Sequence, residues 1–101
     1  MKKSHIKKKK ISKECWDLDH SFIKWLNQHL KVYLKDASKI VDLNYYKFTY
    51  KDKEYTQEEI IRRMIYLSDE AMTLDAWDNK YLVCVDELLD LWKLVFHTIW
   101  W

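Results

Sequence analysis

Apolar residues recur along this chain at two spacings, and the spacings divide it into elements. In CWDLDHSFIKWLNQHLKVYLKD, at about 100° per residue, Leu18, Phe22, Trp25, Leu26, Leu30 and Tyr33 share one broad face, while Lys24, Gln28, Lys31 and Lys35 share the other. That is an amphipathic helix. Asp17 or Asp19 suits its start, where a carboxylate meets free N–H groups and the positive end of the helix dipole. Ile60, Ile61, Met64, Leu67, Ala71 and Leu74 form a second helical face, with Arg62, Arg63, Tyr66, Asp69 and Glu70 outside it. Thr56-Gln57-Glu58-Glu59 reads as its capping box, a hydroxyl followed three residues later by a carboxylate. A third stripe, Trp77, Tyr81, Cys84, Leu88, Leu91, Val95 and Ile99, steps by four and three. It predicts a helix from about Asp75 or Trp77 to the end, broadened by Leu82, Val85, Leu89, Trp92 and Phe96 to face two partner helices.

Between the first two helices the period changes. ASKIVDL suits a short helical turn. YYKFTYKDKEYT alternates aromatic and polar residues around Lys51-Asp52, which predicts either a β-hairpin turning there or a plain loop. A lone hairpin is marginal in water, so it must lie on the helices through Phe48, Tyr50 or Tyr55. The expected fold is all-α or mostly α: a three-helix bundle with a small hairpin or loop between helices 1 and 2.

Composition supports one domain rather than several. The chain has 101 residues, 49% of them hydrophobic, with 6 Trp, 7 Tyr and 3 Phe. Large rings let a short chain build a core without disulfides or metals. There is no Gly and no Pro, so turns at positive φ fall to Asn, Asp or Lys, and no helix is broken internally. The lack of Gly also argues against phosphate-cradling loops, and no GxSxG or CxxC arrangement is present. Cys15 and Cys84 lack metal-site spacing and read as reduced thiols of a cytoplasmic protein. The MKKSHIKKKKI start has no apolar run behind it, and Asp86, Glu87, Asp90 and Lys93 interrupt the one greasy stretch, so neither a signal peptide nor a membrane span is expected.

Charge divides the chain unevenly. Residues 1–13 carry seven lysines and no acid, leaving eleven basic against sixteen acidic residues elsewhere, a net of −5. The expectation is a disordered lysine tail over 1–13 and a single acidic helical domain over 14–101. Lys7, Lys8, Lys9, Lys10 and Lys13, with Arg62 and Arg63, are the candidate nucleic-acid contacts, acting on phosphates without sequence preference.

Other candidates are weighed against plainer readings. On the third helix Val83, Glu87, Asp90 and Leu94 form a second stripe, with Trp101 at its end. Aliphatic groups framing acids mark either a partner site or a homodimer seam, unless they are ordinary surface residues. Asp17, Asp19 and His20 have the chemistry to hold a cation or share a proton, but acids at a helix start need no further cause. Asp19 lies near Leu26 and Leu30 and requires a partner: Arg62, Arg63, an indole N–H or its own helix N-terminus. His29 falls within the apolar stripe as a core histidine. No catalytic residue, cofactor or metal is expected.

Trp16-Asp17-Leu18-Asp19, His29-Leu30-Lys31, the Thr56-capped helix with Glu59 and Met64-Ile65, and Leu89-Asp90-Leu91-Trp92 before Trp100-Trp101 follow one another in order. This order resembles a set of small uncharacterised helical proteins of tailed bacteriophages and prophages. Their pattern runs from a W-x-D-L-D-like start through P-R-L-K and T-x-E-E-W to L-D-L-F and L-W. Here the Pro and Arg before Leu30-Lys31 are absent, Ile60 stands where Trp is usual, and 44–55 replaces a proline-bearing loop. The resemblance implies a phage-encoded helical protein and transfers no catalytic residue. The expected function is stoichiometric binding to a host or phage protein, most naturally inhibition of a host defence component such as a CRISPR effector. The acidic body would then imitate a nucleic-acid surface. The alternatives are nucleic-acid binding through the tail and an oligomerising structural phage component.

Overall fold

A computed structural model describes residues 18–75 and 77–99. The expected tail over 1–13, the domain start at residue 14, Cys15, Asp17 and Trp101 lie outside these. The described chain is three helices with a two-stranded antiparallel hairpin between the first two: α1 (Leu18–Ala37), β1 (Lys47–Tyr50), β2 (Lys53–Thr56), α2 (Gln57–Thr73) and α3 (Asn79–Val95). α1 and α3 both pack along α2, which is the central helix.

Local chemistry sets each boundary. Thr56 and Glu59 form the complete capping box: the Glu59 N–H donates to Thr56 Oγ1 at 3.2 Å, and the Thr56 N–H to Glu59 Oε1 at 2.8 Å. Two further N–H groups of that first turn donate to the preceding loop, Glu58 to the Leu43 carbonyl and Gln57 to that of Tyr46. The ASKIVDL segment begins with the short helical turn expected of it, in which the Val41 N–H donates to the Ala37 carbonyl at 2.8 Å, and goes no further as a helix. Its Leu43 is buried, while Ile40 and Val41 stay exposed.

The hairpin turns at Lys51-Asp52, whose φ values of 50° and 65° give the left-handed geometry that matches strand twist. Tyr50 pairs with Lys53 and Phe48 with Tyr55 across it. Asp52 tolerates this conformation, but Lys51 is not a type it favours, and glycine suits the second position better. Lys51→Asn with Asp52→Gly is expected to add about 1 kcal/mol of stability, read as a higher urea midpoint at unchanged slope.

α3 begins later and ends earlier than the stripe predicts. Asp78 caps it by accepting from the Lys80 N–H at 2.9 Å, and Asp75 holds the preceding turn by accepting from the Trp77 N–H. Trp77 therefore lies in the connection and is 92% exposed, not a core residue. The Val95 carbonyl accepts from the backbone N–H groups of Thr98 and Ile99 and from the Thr98 hydroxyl, closing a turn after the helix.

The core gathers Ile23, Leu26 and Leu30 of α1, Ile60, Ile61, Met64, Leu67 and Ala71 of α2, and Tyr81, Cys84, Leu88, Leu91 and Val95 of α3. On α1 the buried face is rotated from the expected one. Ile23, Asn27 and Ala37 are inside, whereas Leu18 and Trp25 are exposed. Asn27 is buried because its amide donates to Ser68 Oγ at 2.8 Å and Asp69 Oδ1 at 3.0 Å on α2, while Ser68 returns its hydroxyl proton to α2 carbonyls. Buried polar groups persist where they are paired.

Candidate interaction faces

The stripe singled out on α3 is divided by its neighbours. Val83 is 64% exposed and Asp90 is exposed, whereas Glu87 is partly covered and Leu94 packs against the core. Glu87 accepts a two-pronged contact from Arg63 of α2, Nε to Oε2 at 2.7 Å and Nη2 to Oε1 at 3.0 Å. The fork-on-fork geometry makes this stronger than an ordinary surface pair. Asp90 Oδ2 accepts from the Tyr50 hydroxyl at 3.3 Å, joining β1 to α3.

These links enclose a cleft of about 480 Å³, lined by Tyr50, Lys51, Tyr55, Glu59, Arg63 and Glu87 over an apolar floor of Ile60 and Leu91. Its electrostatics are settled locally. The hydrogen bonds from Arg63 hold the Glu87 carboxyl below its ordinary range, against the opposing effect of partial burial, and Lys51 adds to the lowering. The same contact raises the Arg63 pKa. Loss of water raises the Tyr50 hydroxyl, helped by the Asp90 charge. The Lys51 ammonium lies 5.4 Å from the Tyr50 ring centre and Arg63 lies 5.2 Å from that of Tyr66, so both cations also rest on aromatic faces.

A carboxyl whose folded pKa is depressed stabilises the fold above its unfolded value and loses that contribution as pH falls through the folded one. Glu87 is therefore expected to contribute stability that is present at neutral pH and is lost as pH falls below the ordinary carboxyl range. Glu87→Gln should remove that part of the acid sensitivity, measured as urea stability at pH 7 and pH 3.

The remaining candidates take the following places. Arg62 pairs with Glu58 one turn earlier at 2.9 Å, so both arginines proposed for phosphate contact are already engaged by carboxylates. Lys7, Lys8, Lys9, Lys10 and Lys13 lie outside the described residues, as does Trp101. Asp19 accepts from the Tyr81 hydroxyl, which lies 2.7 Å from its Oδ2. His29 is an exposed residue, not a core one: Nδ1–H donates to the Trp25 carbonyl at 2.7 Å and the ring stacks on Trp25 with centroids 4.3 Å apart. His20 is half-buried near the start of α1. Among the described residues no three His, Cys, Asp or Glu side chains are grouped to hold a metal ion, and no helix is long and apolar enough to cross a membrane.

A second face was only half visible in the sequence. Of the residues expected to broaden the α3 core stripe, Val85 and Trp92 pack against the core, whereas Leu82, Leu89 and Phe96 open to solvent. Beside them, a shallow cavity of about 290 Å³ lies between Trp25, His29, Val32 and Tyr33 of α1 and Trp92 and Ile99 of the α3 end. No family model, no curated protein and no solved structure matches the chain.

Proposed function

We propose that the chain is a non-catalytic accessory protein of phage origin that works by binding one protein partner stoichiometrically in the bacterial cytoplasm. The partner we favour is a host defence component, a CRISPR effector being the natural case. The single observation that carries the binding reading is the outer face of α3. There an exposed valine, Val83, and an exposed acid, Asp90, sit beside a cleft whose walls are tied together by Arg63–Glu87 and Tyr50–Asp90. Three elements thereby form one firm surface, and apolar groups rimmed by charge on a firm surface are what protein interfaces use. The choice of a defence target rests on the resemblance to phage proteins and not on any residue.

Nucleic-acid binding through the lysine tail is the reading to separate from this one. Reversing the charge of Asp90 should cripple partner binding and spare any nucleic-acid binding, whereas removing residues 1–13 should do the opposite. Loss of function on removing 1–13, with Asp90→Lys fully active, would reject the proposal.

A further inference from the structure

α1 and α3 lie side by side on α2 and run in the same direction. Asp19 meets Tyr81 at one end, and Gln57 reaches both the Tyr33 hydroxyl and the Thr98 carbonyl at the other. Between these ties each helix carries a second stripe that the core uses only through Phe22, Val85, Trp92 and Ile99, leaving its other members in solvent. On α1 it is Leu18, Phe22, Trp25, His29 and Val32, stepping by four and three. On α3 it is Leu82, Val85, Leu89, Trp92 and Phe96, continued by Ile99, stepping by three and four. Heptad spacing keeps a stripe aligned for another helix.

The exposure is large. Leu18 is 64% exposed, Trp25 49%, Val32 58%, Leu82 54%, Leu89 45% and Phe96 54%. With the half-buried members the two stripes offer on the order of 700 Å² of apolar surface, beyond the roughly 300–600 Å² of the largest patch on a typical monomer and close to the roughly 800 Å² that each side of a stable complex buries.

We propose that the covering element is a second copy of this chain. The two α1–α3 grooves close face to face in a symmetric dimer, with α1 of each copy lying over α3 of the other and four helices forming the seam. Charge selects this arrangement. The Asp19–Tyr81 contact sets the relative height of the two helices, and five residues further along each come Lys24, on the solvent flank of the α1 stripe, and Asp86, on that of α3. Laying α1 over the partner's α3 brings these opposite charges to the same level. Laying α1 over α1 would instead gather the Lys24 and Lys35 side chains of both copies. The seam leaves the Val83 face free, so the dimer carries two copies of it and does not depend on the functional reading above.

Sedimentation velocity of the full chain at tens of micromolar tests this. A species of twice the 12.6 kDa chain mass is expected. Leu89→Glu and Trp25→Gln alter exposed groups and should each give a folded monomer by far-UV circular dichroism, with dimer affinity reduced more than about a hundredfold. Val83→Glu should remain dimeric. Lys24→Glu and Asp86→Lys should each weaken the dimer about threefold and restore it when combined. A wild-type monomer at 100 μM (on the order of the weakest affinity that matters for a stoichiometric assembly) would overturn the proposal, as would a Leu89→Glu chain that stays dimeric.

Discussion

Replacing Leu88 by alanine is expected to cost about 3–4 kcal/mol. Leu88 is fully buried on α3 and belongs to the cluster with Ile60, Ile61 and Met64 of the central helix. Truncation removes the transfer energy of its side chain and leaves a cavity in a core that can only partly collapse around it. In a chain of this size the total stability is of order 5–10 kcal/mol, so the loss takes a third or more of it and lowers Tm by roughly 15 °C or more. Val83→Ala, on the outer side of the same helix, should change stability by less than about 0.5 kcal/mol. Urea unfolding followed by circular dichroism, at one fixed chain concentration because self-association adds to apparent stability, checks both. A Leu88→Ala cost below about 1 kcal/mol would mean that α3 is not packed on α2 as described.

The largest functional effect is expected from Val83→Glu combined with Asp90→Lys. Val83 is exposed and lies outside the core cluster, and Asp90 accepts a hydrogen bond from the Tyr50 hydroxyl. The pair of changes replaces an apolar contact with a charge and reverses an acid, which at an interface costs affinity through both lost contact and repulsion. Partner affinity should fall at least about a hundredfold. Tyr50→Phe separates the two roles of Asp90: it removes the hydrogen bond while leaving the charge, and should leave affinity within about threefold. Binding by calorimetry, with circular dichroism to verify the fold of each variant, reads the result. If the double variant binds as well as the wild type, the partner meets another face.

How far the fold could be read from the chain depended on whether the deciding contacts were local. The hairpin turn at Lys51-Asp52, the Thr56–Glu59 capping box and the buried face of α2 all rest on residues within a few positions of one another, and each stands as expected. The α1 face did not, because the apolar arc of that helix is wider than one neighbour covers and only the position of α2 chooses which part of it is buried. The aromatic weight of Trp25 pulled the expected face toward it, whereas a paired Asn27 serves as well inside. Its place between Ile23 and Leu30 was the available signal. Leu82, Leu89 and Phe96 looked like core for a related reason: a wide apolar arc does not show where the fold stops covering it. Trp77 was misplaced by two residues of helix start, which the Asp78 cap decides.

The candidate site was legible as a set of residues and not as an arrangement. Val83, Glu87, Asp90 and Leu94 do share a side of α3, but what each does there depends on groups far away in sequence. Glu87 is held by Arg63, 24 residues earlier, and Asp90 by Tyr50, 40 residues earlier. Arg63 was read as an outward cation available to phosphate, since no local spacing reveals a carboxylate brought to it by another helix. That the hairpin lies on the helices through Tyr50 was expected, but its contact with Asp90 and the part of Lys51 depended on its register and packing.

The most direct measurement is a pull-down with the tagged chain from a bacterial lysate expressing defence systems, with and without nuclease, with the Val83→Glu, Asp90→Lys double variant alongside. Stoichiometric protein binding requires one protein, recovered near one per chain, that survives nuclease and disappears with the double variant. Recovery that vanishes with nuclease, or on removing residues 1–13 while the double variant still binds, would contradict it and assign the function to nucleic acid.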